Sequence, residues 1–393
     1  MMVTMLTTTA LLMCCASLSG PRADFSSVPR RTALQAATVA PALLTRGLGA
    51  PPALAAAATT PVPTTRVGNL DISQLIQGHW QLAGGHGKYT EAEAIANMRA
   101  HLRAGVTTLD TADIYGPSEL VVGKFVASEG SKKAIPCTKF CCFRNLRSID
   151  EVEVRARVEN QCRRLQVPSL PLVAFFWADY SVKRYVEVAQ ILAKLREEGL
   201  IDNIGLTNFD LKRMREFIDA GVPIVSNQVQ MSALDSRPLQ SGMAKYCEEK
   251  GIKLLAFGTV GAGLLSERYL GAAPPDAEAM QRGGYSLSMY RSTAARFGPW
   301  TLVQELLDTM HQVALQHPGT SIANVAQRYV LQSSPAVGGL IVGVRNQDHI
   351  AENTRTFSFM LSDTEMKALQ DVIAKRSGPR GDVWDIERGY DVS

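Results

Sequence analysis

Val106-Thr107-Thr108-Leu109-Asp110-Thr111-Ala112-Asp113-Ile114-Tyr115-Gly116 begins as a run of β-branched and apolar residues and ends in a polar, glycine-closed turn. Such a segment is a buried strand that delivers a carboxylate, Asp110, at its C-terminal end and a phenol, Tyr115, in the loop beyond. A helix follows from about Ser118. Upstream, Leu75 to Trp80 reads as an earlier strand. Thr90-Glu91-Ala92-Glu93 then opens a helix through Arg103 with a capping box, and Gly105 closes it. Downstream the same alternation repeats. Strands are expected over Ala134–Lys139, Leu172–Trp177, Asn203–Leu206, Ile224–Val229, Ile252–Phe257 and Gly339–Gly343, with amphipathic helices between them. Only the stretch from Gly261 to Gly298, rich in Gly and Pro, breaks the rhythm, and it reads as a long insertion.

Continuous apolar strands alternating with helices indicate a parallel sheet covered on both sides. About eight such units favour an α/β fold of the closed (β/α)₈ TIM-barrel type over an open doubly wound sheet. The glycines near the first strand, Gly84, Gly85 and Gly87, lack the G-x-G-x-x-G spacing of a dinucleotide-binding turn. The 393 residues suit one barrel of about 250–320 residues plus appendages. The expected division is a leader over residues 1–66, the barrel over 67–377, and a C-terminal tail over 378–393.

The leader carries five arginines and one acidic residue, Asp24, through residue 69 and is rich in Ala, Thr, Ser and Pro. That imbalance marks a disordered targeting segment. Arg30-Arg31 precedes a weakly apolar stretch and Ala53-Leu54-Ala55, which resembles a twin-arginine export signal. With the apolar run Met5–Ser19 ahead of it, the whole looks like the two-part presequence of a chloroplast thylakoid-lumen protein; stroma or cytoplasm is the alternative. No apolar run reaches the ~20 residues of a membrane span. A formal charge of +4 without a dense basic stripe excludes nucleic acid as the expected partner. Seven cysteines without regular spacing form neither a disulfide framework nor a metal site, and free thiols are expected. Oligomeric state leaves no trace in the sequence.

Functional residues of such a barrel lie at the C-terminal ends of its strands. Asp110, Tyr115, Lys139, Asn208, Gln228 and Arg345 all fall there. Three of them suit acid catalysis. A phenol with a pKa near ~10 is a poor proton donor at neutral pH. An ammonium beside it lowers that value, and a carboxylate fixes the ammonium. The alternative is a plain salt bridge of Asp110 and Lys139, with Tyr115 merely packing.

The ordered set of segments resembles the aldo/keto reductases. Asp110-Thr111-Ala112-Asp113-Ile114-Tyr115-Gly116 is similar to that family's D-T-A-x-x-Y-G, and Thr138-Lys139 to its T-K. Thr207-Asn208-Phe209, Asn227-Gln228-Val229-Gln230, Phe257-Gly258-Thr259, Gly343-Val344-Arg345 and Glu352-Asn353 follow in family order. The resemblance implies an NADP(H)-dependent reduction of a small-molecule carbonyl, with Tyr115 as proton donor tuned by Lys139 and Asp110. It implies a nicotinamide carboxamide held by Thr207, Asn208 and Gln228, and a ring stacked on Phe257. Gly258, Thr259, Val260 and Leu264 would line the pyrophosphate, and Gly78 and Trp80 the first strand's side of the site. Arg345, helped by His349, would hold the 2′-phosphate, and Glu352 and Asn353 the adenine. No metal is implied.

One departure bears on activity. The family's histidine at the end of the fourth strand is matched here by Phe176, in Ala174-Phe175-Phe176-Trp177. A phenyl ring donates no hydrogen bond, and loss of one such donor costs about 2.7–4 kcal/mol of transition-state stabilisation. His79 or His86 could substitute. The competing reading is an NADP-binding barrel with weak or no catalysis, serving as a sensing or protein-interaction module.

Overall fold

The computed structural model describes residues 60–84, 89–390 and 392. The leader therefore lies outside the described residues, apart from its last few positions, as does His86. Two short strands, β1 (Thr64–Val67) and β2 (Leu70–Ser73), form an antiparallel hairpin. Eight parallel strands follow: β3 (Leu75–Gly78), β4 (Thr108–Asp110), β5 (Ile135–Cys142), β6 (Leu172–Trp177), β7 (Ile204–Thr207), β8 (Ile224–Gln230), β9 (Lys253–Phe257) and β10 (Val337–Gly343). They pair in chain order, and β10 closes on β3 to complete a (β/α)₈ barrel. Pro136 sits at the second position of β5, where its missing N–H still permits parallel pairing with Leu109.

The hairpin begins inside the segment assigned to the leader. Its Val67 and Ile72 pack on Ile76, Cys137, Leu172 and Leu255, which face the barrel axis. The hairpin thus seals the N-terminal end of the barrel, and among the described residues the first strand begins at Thr64.

The helices cover the outside. These are α1 (Glu91–Arg103), α2 (Ser118–Glu129), α3 (Glu151–Leu165), α4 (Tyr185–Glu197), α5 (Leu211–Asp219), α6 (Arg237–Gln240), α7 (Met243–Lys250), α8 (Ala277–Phe297), α9 (Trp300–Gln316), α10 (Ile322–Gln332), α11 (Ile350–Arg355), α12 (Asp363–Ile373) and α13 (Asp385–Arg388). The capping box at Thr90 forms as its sequence implies: Glu93 N donates to Thr90 Oγ1 at 3.2 Å, and Thr90 N to Glu93 Oε2 at 2.7 Å. The insertion differs from expectation. Residues 277–297 are one helix, α8, with non-helical backbone only at Gly284. Gly283-Gly284 hid it in the sequence, because glycine lowers helix propensity by about 1 kcal/mol per residue. The five cysteines among the described residues are all free and buried.

At Gly123 of α2 the helix touches the end of α3. A Cβ there would stand 2.0 Å from Arg164 O and 2.9 Å from Leu165 Cα. Gly123→Ala is therefore expected to destabilise the fold. The overpacking cost of about 1–3 kcal/mol outweighs the gain of about 1 kcal/mol in helix propensity. Chemical denaturation of the two proteins measures the difference; a more stable variant would contradict the packing described.

Candidate active site

Asp110 ends β4 and Lys139 lies in β5, and both point toward the axis at the C-terminal mouth. Lys139 Nζ donates to Asp110 Oδ2 at 2.7 Å, to Oδ1 at 2.8 Å and to Thr111 O at 2.9 Å, so all three of its protons are spent. Both side chains are buried. Gln228 Nε2 donates to the same carboxylate, reaching Asp110 Oδ1 at 2.6 Å. Lys139 Nζ lies 4.9 Å from the centre of the Tyr115 ring. Asp110, Lys139, Tyr115 and Gln228 thus converge at one end of the barrel.

The electrostatics differ from the expectation for Tyr115. Its hydroxyl is pushed up to about 12, chiefly by burial; Lys139 opposes that rise and the Asp110 charge adds to it. The ammonium is largely neutralised by the carboxylate it grips, so desolvation wins. Lys139 itself would be pushed down by burial, but Asp110 and Tyr115 hold it above the usual lysine value.

The residues matched to a nicotinamide site lie together. Asn208 N donates to Gln228 O at 2.9 Å, and Thr207 Oγ1 to the same oxygen at 3.3 Å. Asn208 Oδ1 is buried without a partner. An acceptor in that state is what the N–H₂ of a carboxamide would satisfy, so this corner fits the group. Thr207 and Gln228 are instead engaged with the protein in this state. Phe257 is partly buried, its ring 6.1 Å from Trp384 in an edge-on arrangement. Gly258, at φ +73°, is pressed by Tyr290: a Cβ would stand 2.5 Å from the phenol oxygen. Thr259 and Leu264 are buried, and Val260 packs at the core edge.

Gly78 and Arg345 border a cavity of about 540 Å³ beside α1. Arg345 is exposed. His349 Nδ1 meets Glu352 Oε2 at 2.8 Å, Ser321 Oγ donates to Glu352 Oε1 at 3.1 Å, and Gln327 Nε2 donates to Asn353 Oδ1 at 3.2 Å. His349, Glu352 and Asn353 therefore lie together on and around α11, while Arg345 lines the cavity beside α1. Trp80 stands edge-on to Tyr285 at 5.7 Å and so meets α8.

Phe176 faces the axis, because Leu172 and Ala174 line the small cavity inside the barrel and side chains alternate along β6. Its ring packs 5.0 Å from Phe143. His79 does not take its place. Ile76 faces the axis, so Gln77 turns to the helices and donates to Val106 O at 2.7 Å. His79, two residues on, lines the side cavity with Leu82, Ala94 and Asn97. Burial, His101 and Lys139 hold its imidazole down to about 3.

Two further elements cover the mouth. From α8, Tyr290 is buried beside Gly258, and Thr293 Oγ1 accepts from Gln230 Nε2 at 3.1 Å. From the C-terminus, residues 382–390 are strapped down rather than left as a surface tail. Arg237, almost fully buried, binds Asp235 and also grips both oxygens of Glu387 at 2.9 Å. Leu211 N donates to Asp382 Oδ2 at 2.9 Å. Arg388 Nη2 donates to Tyr180 Oη at 2.9 Å and to Asn208 O at 3.1 Å. Arg237 and Arg388 carry no local signal of this role: Glu387 lies 150 residues from Arg237 in the chain, and Asn208 180 residues from Arg388.

A closed parallel barrel with a buried Lys–Asp pair and an adjacent phenol at its C-terminal mouth defines the class: a TIM-barrel protein with its ionisable groups gathered where that fold places chemistry. The aldo/keto reductase family model matches residues 74–374, and the chain belongs to that family. It is similar to the chloroplastic pyridoxal reductase of Arabidopsis thaliana, 25% identical over 352 residues that span 83% of this chain and 89% of the relative. The aldo-keto reductase YhdN of Bacillus subtilis is 29% identical over 205 residues, 50% of this chain and 61% of that one. Among solved structures, the glycerol dehydrogenase AKR11B4 of Gluconobacter oxydans superposes with a TM-score of 0.66 at 23% identity, covering 83% of this chain and 98% of that one. Family and fold support an oxidoreductase acting on carbonyls.

Neutral His79 has a consequence for acid stability. Its folded value, near 3, lies below the unfolded value of 6.5. Its contribution is thus fully present above pH 6.5 and fades as the pH falls toward 3, because the unfolded chain takes up the proton first. At pH 4.5 that loss is about 3 kcal/mol. His79→Gln is expected to lose less stability between pH 7 and 4.5 than the parent. Parallel urea titrations at the two pH values test this; equal losses would count against a buried neutral imidazole.

Proposed function

We propose that this protein reduces a carbonyl of a small organic substrate with NADPH, using Tyr115 as the proton donor. The observation that carries this reading is the buried Asp110–Lys139 pair with Tyr115 set 4.9 Å above the ammonium. NADPH, when bound, supplies the hydride. Asn208 would hold the carboxamide through its unspent Oδ1, and Phe257 would give the nicotinamide an apolar face. Arg345 would fork onto a 2′-phosphate, and Glu352 and Asn353 would meet the adenine.

Tyr115 performs the proton step. With its hydroxyl pushed up to about 12, the phenol is protonated throughout the neutral range. It can donate to the substrate oxygen as negative charge grows there, because an alkoxide is the stronger base. Lys139 steadies the phenolate left behind, and Asp110 keeps Lys139 charged and in place. The same elevation disfavours the reverse direction, which needs a phenolate at the outset. Phe176 withholds a second hydrogen bond from the carbonyl oxygen, and this favours a slow enzyme or an intrinsically reactive carbonyl.

Purified protein would be assayed with NADPH against aldehydes and quinones, with pyridoxal included because of the name of the Arabidopsis relative. Tyr115→Phe is expected to lower kcat/KM by about 10²–10⁴-fold. Phe176→His is expected to raise kcat, by as much as about 10²-fold. Activity that survives Tyr115→Phe would refute the assignment of the donor. NADPH binding seen by Trp fluorescence, with no turnover until Phe176 is replaced by His, would favour a binding or sensing module.

The Arg30-Arg31 signal, together with a relative named as chloroplastic, supports residence in the plastid, with the thylakoid lumen as the compartment. A fluorescent fusion of the full chain is expected in plastids; a cytosolic signal would overturn this.

A further inference from the structure

Strand β4 ends at Asp110, and Tyr115 sits beyond it in a turn closed by Gly116 at φ +54°. The turn's own backbone bonds are local: Tyr115 N donates to Ala112 O at 3.1 Å, and Ser118 N to Tyr115 O at 3.0 Å. They shape the turn but do not set its distance from Lys139. Toward β5 the backbone offers Thr111 N to Cys137 O at 2.9 Å, then Asp113 N to Lys139 O at a longer 3.5 Å. Side chains supply stronger ties.

These side chains come from α3, on the outside of the barrel. Arg157, Gln161 and Arg164 recur at i, i+4 and i+7 and so share one face of that helix. Arg157 Nη2 donates to Asp113 Oδ2 and to Cys141 O, both at 2.7 Å, which joins the Tyr115 loop to β5 just past Lys139. Cys141 N donates to the same Asp113 oxygen at 3.2 Å. Gln161 Nε2 donates to Lys139 O at 2.8 Å. Arg164 Nη2 donates to Gly116 O at 2.6 Å, and its Nε to Glu119 Oε2 at 2.8 Å. Glu119 Oε1 in turn accepts from Thr138 Oγ1 at 2.7 Å. The contacts thus flank Tyr115 at Asp113 and Gly116, and flank Lys139 at Thr138 and Cys141.

An exposed ion pair would hold such a loop weakly. Here the Arg157 and Asp113 side chains are 29% and 17% exposed, and those of Arg164 and Glu119 24% and 1%. Burial raises the Asp113 carboxyl above its usual value, and Arg157 opposes that rise. Arg155, on the same helix, pairs instead with Glu198 at the end of α4, at 2.6 Å.

We propose that Arg157 and Arg164 are positioning residues for Tyr115, setting the phenol over Lys139 from outside the barrel. The effect on rate rests on the reductase reading, whereas the placement of Tyr115 can be measured without turnover. A displacement of about 1 Å at a reacting group can cost about 10²-fold in rate.

The test uses the full chain. Arg157→Gln and Arg164→Gln are each expected to lower kcat by about tenfold to 10²-fold, with KM and NADPH affinity little changed. Arg157→Lys, which keeps a donor near Asp113, is expected to recover part of the loss. Asp113→Asn combined with Arg157→Gln strands no carboxylate, and it is expected to show the same fall in kcat with stability nearer the parent. In a Tyr115→Phe background Arg157→Gln is expected to change the residual rate by less than about twofold, because it acts through the phenol. Arg155→Gln is the control and is expected to match the parent. Without turnover, 3-fluorotyrosine placed at position 115 reports the same geometry: its fluorine resonance is expected to shift or broaden in Arg157→Gln and not in Arg155→Gln. Parent-like kcat in both arginine variants, equal losses with and without the Tyr115 hydroxyl, or an unmoved fluorine resonance would overturn the proposal. A displaced resonance in a protein that consumes no NADPH with any aldehyde would remove the reductase reading and leave the positioning role standing.

Discussion

The buried contact between Lys139 and Asp110 governs the rest of the mouth. Three strands and a loop meet in it: β4 brings the carboxylate, β5 the ammonium, β8 the Gln228 amide, and the turn after β4 the Thr111 carbonyl. Removing either ionic partner would leave a charge stranded away from water, at a cost of about 3–5 kcal/mol. The pair therefore constrains the register of the strands as well as the chemistry. It also limits what Lys139 can do for Tyr115. An ammonium with all its protons spent and a carboxylate at 2.7 Å presents little net charge to a phenol, and burial prevails. A phenol held protonated would suit the donor role proposed for it, where the proton leaves only as the substrate oxygen becomes basic.

Much of the barrel was legible in the chain because strand and helix periods alternate without ambiguity. Asp110, Lys139 and Gln228 could be placed at strand ends by counting, and the rule that chemistry gathers at those ends did the rest. Three features escaped. The β1–β2 hairpin is built from four-residue strands, too short to show a period. The helix α8 carries paired glycines that mask it. Arg388 acts through contacts with Tyr180 and Asn208, and nothing local in Asp385-Ile386-Glu387-Arg388 distinguishes it from a solvated charged turn. The sign of the Tyr115 shift was missed for a related reason. Proximity of a cation can be counted from strand ends, whereas the burial that outweighs it depends on segments that cover the site from elsewhere in the chain.

Those covering segments are physically distinct. From α8, Tyr290 fits against Gly258, whose positive φ and lack of a Cβ allow the phenol to approach. The C-terminal segment is held by ionic contacts to Arg237, by backbone contact to α5, and by Trp384 against Phe257. One cover is packed and apolar, the other latched and polar. The packed cover lowers the dielectric around Tyr115, while the latched one brings a cation to the same mouth.

Phe176 makes sense within that arrangement. A histidine at its position would place a polar ring beside Phe143 and under the Arg388 guanidinium, where its proton affinity would be depressed by the cation and by burial. A phenyl ring has no such conflict and offers the guanidinium its negative face. Under the proposed reduction, the exchange forgoes a hydrogen bond to the carbonyl oxygen and keeps an aromatic platform beneath the Arg388 guanidinium. If catalysis there relies less on the oxygen's second donor, the binding energy has to come from the rest of the substrate, and interactions remote from the reacting carbon are where such a site can recover rate.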